Sequence, residues 1–300
     1  MRVVAIADEH IGGFMSLANP STTPSKDAYA PVRGAIYDRW KAATEGKWSK
    51  PDVLILNGDV VEGKNRKGGG MGLWTADLQE QADHAVELIE MWGAKKIYVI
   101  RGSRYHVAAG DSGLLIEEQI ARDLKAEVYP NQENIPARRR DRSGWQWYLN
   151  LDGVTFHVSH KVGFSRVFHY RTTPLSRELL QARLNDLLRH EMKNMRIRVV
   201  LRAHAHYYLT VGHSGSDGFI LPCWKTQDDW MLEKGPLDIT PDLGFVGFEV
   251  NKGVMNYEKN LFQINDVQKP PLTIVGRGRK TTRKSSSRGG VGKVAKRKSR

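Results

Sequence analysis

Three short runs set the frame for this chain. RVVAIAD (2–8), PDVLILNGD (51–59) and KKIYVIRGS (95–103) are almost continuously apolar, and each stops in a polar or glycine-containing turn. A strand wetted on one side alternates apolar and polar residues, whereas a strand covered on both faces reads as an unbroken Val/Ile/Leu run. The three runs therefore predict strands buried on both faces. Between the second and third, TADLQEQADHAVELIEMW (75–92) spaces Leu78, Ala82, Ala85, Val86 and Ile89 at helical intervals behind Thr75, which can cap the helix. Helices near 27–45 and 113–124 repeat this strand, helix, strand pattern.

Beyond residue 125 the character changes. WQWYLNLDGVTFHVSH (145–160) predicts two strands around an Asp-Gly turn. PLSRELLQARLNDLLRHEMKN (174–194) predicts a helix, IRVVLRAH (197–204) a strand, and 207–224 and 244–264 two hairpins. An α/β first half followed by a β-richer second half predicts two sheets packed together with helices outside. No internal repeat is present.

Forty per cent hydrophobic and 26% charged residues in 300 suit one large globular unit. No apolar run approaches the roughly 20 residues a bilayer requires, and MRVVAIADEH turns acidic too early for a secretory signal, so no membrane association and a cytoplasmic location are expected. The single cysteine, Cys223, rules out an intramolecular disulfide and a Cys-rich zinc site. Any metal chemistry here must use His and carboxylate. The net charge of +13 is uneven: residues 276–300 hold eleven Lys or Arg and no Asp or Glu, leaving +2 for the rest. Such a segment cannot bury enough surface to offset its ordering entropy, so a domain over 1–268 and a disordered basic tail over 269–300 are expected. Arg277, Arg279, Lys280, Arg283, Lys284, Lys296, Arg297 and Lys298 would then contact nucleic acid by counterion release.

The strand ends carry the chemistry. The first run ends in Asp8-Glu9-His10, the second in Gly58-Asp59, the third in RGSRYH with Ser103 and His106; TFHVSH closes on His160, and VVLRAHAH on His204 and His206. An isolated D-x-H or H-x-H is expected by chance roughly 0.3 to 0.6 times in such a chain, so neither means much alone. Five in order, each terminating an apolar run, are specific, because loops at the carboxyl ends of α/β strands converge on one crevice.

In these blocks the chain resembles the calcineurin-like metallophosphoesterase superfamily over about residues 3–215. GDVVEG matches the second block with Glu62 at its last position, and RAHAH matches the last except that Ala203 replaces glycine. The resemblance implies a four-layer α-β-β-α sandwich of two mixed sheets flanked by helices. It implies two divalent metal ions, Mn2+ first, with Fe, Zn, Ni or Mg also compatible. Asp59 would bridge them, Asp8, His10 and His206 would complete the first site, and His160 and His204 the second.

One block departs from the pattern: Ser103 stands where the family places an Asn ligand, and His106 follows two residues later than usual. A hydroxyl is a poorer ligand than an amide carbonyl. This G-[ST]-x-x-H form resembles phage and mobile-element members of the superfamily. His106 would act as the acid near the leaving group. The implied reaction is in-line hydrolysis of a phosphodiester by a metal-bridging hydroxide, with Asp59 and His106 as the catalytic pair.

Three functions remain open at this level. A nuclease would use the basic tail; a small-molecule phosphatase or cyclic-nucleotide phosphodiesterase would not; a catalytically inactive scaffold would have lost the chemistry through Ser103. The resemblance also leaves homodimerisation open. Trp145, Trp147 and Tyr148 read as core or cross-strand residues, whereas Trp74, Tyr105 and Tyr207 lie nearer the motifs. GKNRKGGGMG (63–72), a basic loop just after Asp59, is a candidate for phosphate contact.

Overall fold

The computed structural model describes residues 1–263 except 25, 66–68, 108–114, 166, 189–195, 214, 229–230 and 232–240. All described residues belong to the unit Met1–Gln268. The expected tail and its nucleic-acid residues lie outside them, as does the centre of the 63–72 loop.

The three founding runs form β1 (Arg2–Ile6), β2 (Val53–Asn57) and β3 (Lys96–Ile100), which pair in parallel. A two-residue β4 (Ser143–Gly144) extends them in parallel. On the other side of β1 lies β10 (Leu243–Asn251), antiparallel to it and to β11 (Val254–Phe262). The first sheet thus runs β11-β10-β1-β2-β3-β4. The second is built from β5 (Gln146–Leu151), β6 (Val154–Ser159), β7 (Ile197–Arg202), β8 (Leu209–His213) and β9 (Ser216–Ile220), in the order β5-β6-β7-β9-β8. Its three central strands are parallel and both edge strands antiparallel.

Three apolar layers make this a four-layer α-β-β-α sandwich of two mixed sheets. Along β1, Val4 and Ile6 point toward α1 (Ala30–Glu45), α2 (Leu78–Glu90) and α4 (Ile116–Asp123), where they meet Ile36, Trp40, Ala85 and Ile120. Val3 and Ala5 point the other way, into the layer between the sheets with Phe156, Leu201, Phe219 and Phe248. Successive side chains of a strand face opposite ways, so both sets must be apolar for both faces to be covered. Phe248 lies edge-to-face with Phe156 and Phe219 at 5.4 and 5.3 Å, and each fully buried side chain of this kind contributes about 1.5–3 kcal/mol. The outer face of the second sheet is covered by α5 (Thr173–Leu188) through Leu175, Leu179 and Ala182.

Local chemistry sets the boundaries. The N-terminus of α2 is capped by Asp77, whose carboxylate accepts from the Gln79 and Glu80 amides, rather than by Thr75. Asp77 immediately precedes the first helical residue, the position from which a short side chain reaches N2 and N3. At the Asp152-Gly153 turn both residues have positive φ, 47° and 86°, as a two-residue hairpin requires. Lys252-Gly253 repeats that geometry between β10 and β11. Among the described residues no helix is long and apolar enough to cross a membrane.

Candidate metal centre

The loops that follow β1, β2, β3, β6 and β7 are tied to one another by backbone hydrogen bonds. The Asp8 amide donates to Gly58 O at 3.0 Å and the His10 amide to Asp59 O at 3.0 Å, joining the first two loops. The Ala203 amide donates to His160 O at 2.8 Å, joining the last two. The two sheets meet where the His204 amide donates to Asp8 Oδ2 at 3.0 Å. The β3 loop is drawn in by Ser103, whose amide donates to Asp59 Oδ1 at 2.6 Å and whose hydroxyl donates to Asp59 Oδ2 at 3.2 Å. Gly102 permits this approach, because a Cβ there would lie 2.1 Å from Asp59 Oδ1.

Five of these residues have left-handed backbone: Asp8, His10, Asp59, His204 and His206, with φ from 50° to 71°. Each such residue bearing a Cβ costs about 1–2 kcal/mol. Strain of this kind persists where surrounding structure enforces it, and it gathers at functional sites. Here it turns consecutive side chains out of strand alternation and toward one point.

Two compact groups result. In the first, His206 Nε2 lies 3.3 Å and His10 Nε2 3.7 Å from Asp8 Oδ1, and the two Nε2 atoms are 3.1 Å apart. In the second, His160 Nε2 lies 3.0 Å and His204 Nδ1 3.8 Å from Asp59 Oδ2. The groups abut, with His160 Nε2 3.9 Å from Asp8 Oδ1. Asp8, His10, Asp59 and His160 are almost fully buried, while the His204 side chain is 30% exposed and marks the mouth.

The electrostatics call for positive charge at the centre. Burial opposes ionisation of Asp8, but His206 and His160 more than offset it and hold its carboxyl far below the usual carboxylate range. Burial likewise opposes ionisation of Asp59, and His160 overrides it. Against its own burial, His160 is pushed up to about 10 by Asp59 and Asp8. Burial pulls His206 down.

This donor set fits divalent metal. Asp8 Oδ1 is buried and accepts no hydrogen bond among the described residues, and two imidazole nitrogens face each other beside it. His160 Nδ1 donates to Asn57 O at 2.6 Å, leaving Nε2 as the ligating atom. Carboxylate and imidazole together suit Mn, Fe, Zn or Ni, and the buried thiol of Cys223 belongs to neither group.

Support comes from residues to which the motifs assign no role. Glu62 Oε2 lies 2.9 Å from His10 Nδ1, which favours the proton on that nitrogen and leaves Nε2 for a cation. Glu62 is itself held by the buried Lys225, whose Nζ lies 2.9 Å from Glu62 Oε2 and 2.7 Å from Asp228 Oδ2. Glu117, fully buried on α4, accepts from the Gly102 amide at 2.7 Å and the Val60 amide at 3.2 Å, clamping the β2 and β3 loops together. Burial, then the charge of Asp59, pushes its carboxyl up to about 7. Glu62 stands in the second motif block, but Lys225 and Glu117 carry no local signal.

His106, in the single turn α3 (Arg104–Val107), packs its ring 4.6 Å from that of His10 and donates from Nδ1 to Glu62 O at 2.7 Å. Its Nε2 is therefore the nitrogen available for proton transfer. Burial and the neighbouring His10 lower its pKa. With His10 and Glu62 it forms a third His/carboxylate group among the described residues. Among the described residues, His84 packs against Trp74 and His157 stacks on Tyr148. Trp147 is core, donating to Val99 O across the sheets at 3.0 Å, but Trp145 is exposed, a correction to its expected packing role.

No protein-family model and no curated protein matches the chain. Solved structures do resemble it. A single-substitution variant of Vps29 from Entamoeba histolytica is 12% identical, covers 88% of this chain and 100% of its own, and gives a TM-score of 0.40. An archaeal phosphodiesterase is 13% identical over 87% of this chain and 100% of its own, with a TM-score of 0.39. A predicted phosphoesterase from Streptococcus pneumoniae is 9% identical over 86% and 97%, with a TM-score of 0.33. These likenesses are of fold alone, and the chemistry of this chain lies in its two abutting carboxylate–imidazole groups.

Proposed function

We propose that this chain is a metal-dependent phosphoesterase that hydrolyses phosphodiester bonds, with nucleic acid as its substrate. The observation that carries this is the pair of abutting groups, Asp8/His10/His206 and Asp59/His160/His204, built on strained backbone at converging loops. Two divalent cations held there, Mn2+ first, would neutralise phosphoryl charge and bring the pKa of water from 15.7 toward about 7.

The protein's own residues do the rest. Asp59 would hold a cation with His160 and His204 and, as the resemblance implies, serve the first group too; Ser103 fixes both of its oxygens by donating to them. Through these bonds Ser103 would act at the second group. Burial of the ligands keeps bulk water from competing for the centre. His106, protonated on both ring nitrogens with Nδ1–H held by the Glu62 carbonyl, would deliver its Nε2 proton to the departing alkoxide and be left neutral. The basic tail beyond residue 268 adds salt-dependent attraction to a polyanion.

The test is hydrolysis of bis-p-nitrophenyl phosphate and of single-stranded DNA, with and without Mn2+, by the wild type and Asp59→Asn. Mn-dependent cleavage of both, abolished by the substitution, is expected. Cleavage of the small diester alone would move the substrate to nucleotides or other small esters. No cleavage with any divalent metal would leave a scaffold.

A further inference from the structure

Exposed aromatic rings accompanied by arginines border the metal centre on separate loops. Trp145, between β4 and β5, is 44% exposed, and the guanidinium carbons of Arg101 and Arg104 each lie 5.9 Å from its ring centroid. Arg104 directly follows Ser103 and opens the turn that carries His106. On the loop after β6, Phe164 is equally exposed, with its ring 6.5 Å from that of His204. Farther along the same loop Phe168 is 79% exposed, and Arg171 lies 5.4 Å from its ring and 5.0 Å from that of Tyr207. Ser103, the neighbour of Arg104, has its Oγ 3.2 Å from Asp59 Oδ2, and His204, against which Phe164 packs, has its Nδ1 3.8 Å from the same oxygen.

Exposed aromatic groups beside a candidate site mark a recognition surface. The kind of partner follows from what lies beside them. A protein docking across both sets would have to cover the charged metal centre, a costly desolvation. A chain that alternates flat π-faces with phosphates does not, because a phosphate meets the centre while neighbouring bases lie on the rings. Paired bases are already stacked inside a duplex and cannot reach these rings. Resting on the phosphoesterase reading above, we infer that Trp145 on one loop and Phe164 with Phe168 on the other are base-stacking platforms, and that the substrate is single-stranded nucleic acid.

Binding is measured with the full-length protein in EDTA, using a fluorescently labelled single-stranded oligonucleotide, its abasic counterpart and a duplex. Salt is raised until the electrostatic contribution of residues 269–300 is suppressed. Trp145→Ala and Phe168→Ala should each weaken binding of the base-bearing strand about 5- to 150-fold, with Trp145→Phe retaining most of the affinity and the abasic strand unaffected. Equal losses on the abasic strand, duplex bound as tightly as single strand, or wild-type affinity in both alanine variants would overturn the inference. The last result would leave the rings for a protein partner. Failure of wild-type protein to hydrolyse bis-p-nitrophenyl phosphate would count against the phosphoesterase reading alone, because binding is scored without metal or turnover.

Discussion

At an ordinary position, replacing alanine by glycine costs stability, because glycine has more conformational freedom to lose on folding. The difference is about 0.4–1 kcal/mol. At His204 the order should reverse. Its φ is 71°, a conformation that costs a residue with a Cβ about 1–2 kcal/mol and costs glycine almost nothing. The side chain is 30% exposed, so truncation leaves little cavity, and the amide that donates to Asp8 Oδ2 remains in either variant. Subtracting the entropic penalty from the released strain leaves His204→Gly more stable than His204→Ala by about 1 kcal/mol. For a chain of this size that is a difference of about 2–4 °C in Tm. Thermal and urea unfolding in EDTA would measure it, with the same pair at His213, on β8 without a positive φ, as the control. If His204→Ala proves equal to or more stable than His204→Gly, the left-handed ligand geometry is wrong, and with it the claim that the site is held under strain.

Removing the proton donor tests the assigned chemistry: His106→Ala should cut turnover roughly 10²- to 10⁴-fold with metal content unchanged, whereas loss of metal by elemental analysis would make His106 a ligand. Lys225→Met leaves the buried Glu62 beside the partly buried Asp228 with their shared cation gone, so urea unfolding should show a loss of about 3–5 kcal/mol. Metal titration should show roughly 10- to 100-fold weaker binding, because Glu62 orients His10; a stability change below about 1 kcal/mol would contradict that network. Glu117 should make a component of the metal-free protein's stability fall as pH rises, opposed below about pH 6.5 by His106 and His206, whose values burial lowers. Folded Glu117 keeps its proton to about 7 whereas the unfolded chain releases it near 4.5. Its contribution is complete below the lower value and lost through the upper, about 3 kcal/mol in all. Raised to about 10, His160 gives the same sign above its unfolded value of 6.5. Glu117→Gln should flatten the first part of that fall, and an unchanged slope between about pH 4.5 and 7 would remove Glu117 as its source.

Much of the architecture is local and was legible. Doubly apolar runs announce strands with two covered faces, and β1, β2 and β3 are such strands. The Asp152-Gly153 turn and the α2 helix follow from nearest-neighbour sterics and periodicity. The ligand blocks were readable for the same reason, since each is a polar terminus on an apolar run. What was not legible depends on distant segments. The C-terminal hairpin is legible in the sequence, but the pairing of β10 with β1 is not, because register between residues 241 to 247 apart leaves no mark in either segment. Trp145 and Trp147 sit two residues apart and should share a face. They do not, because between them the chain leaves β4 of one sheet for β5 of the other and alternation restarts.

The same division holds at the centre. Which residue types stand at the strand ends, and hence that any metal there meets oxygen and imidazole rather than thiolate, is determined by sequence alone. That five of them adopt φ above zero, that Lys225 reaches Glu62 across 163 residues, and that Glu117 ties two loops from a helix are decisions of the tertiary structure. The physical reason is that a strained backbone and a buried charge are unfavourable in any isolated segment. Only the packed loops supply the hydrogen bonds and opposite charges that offset them.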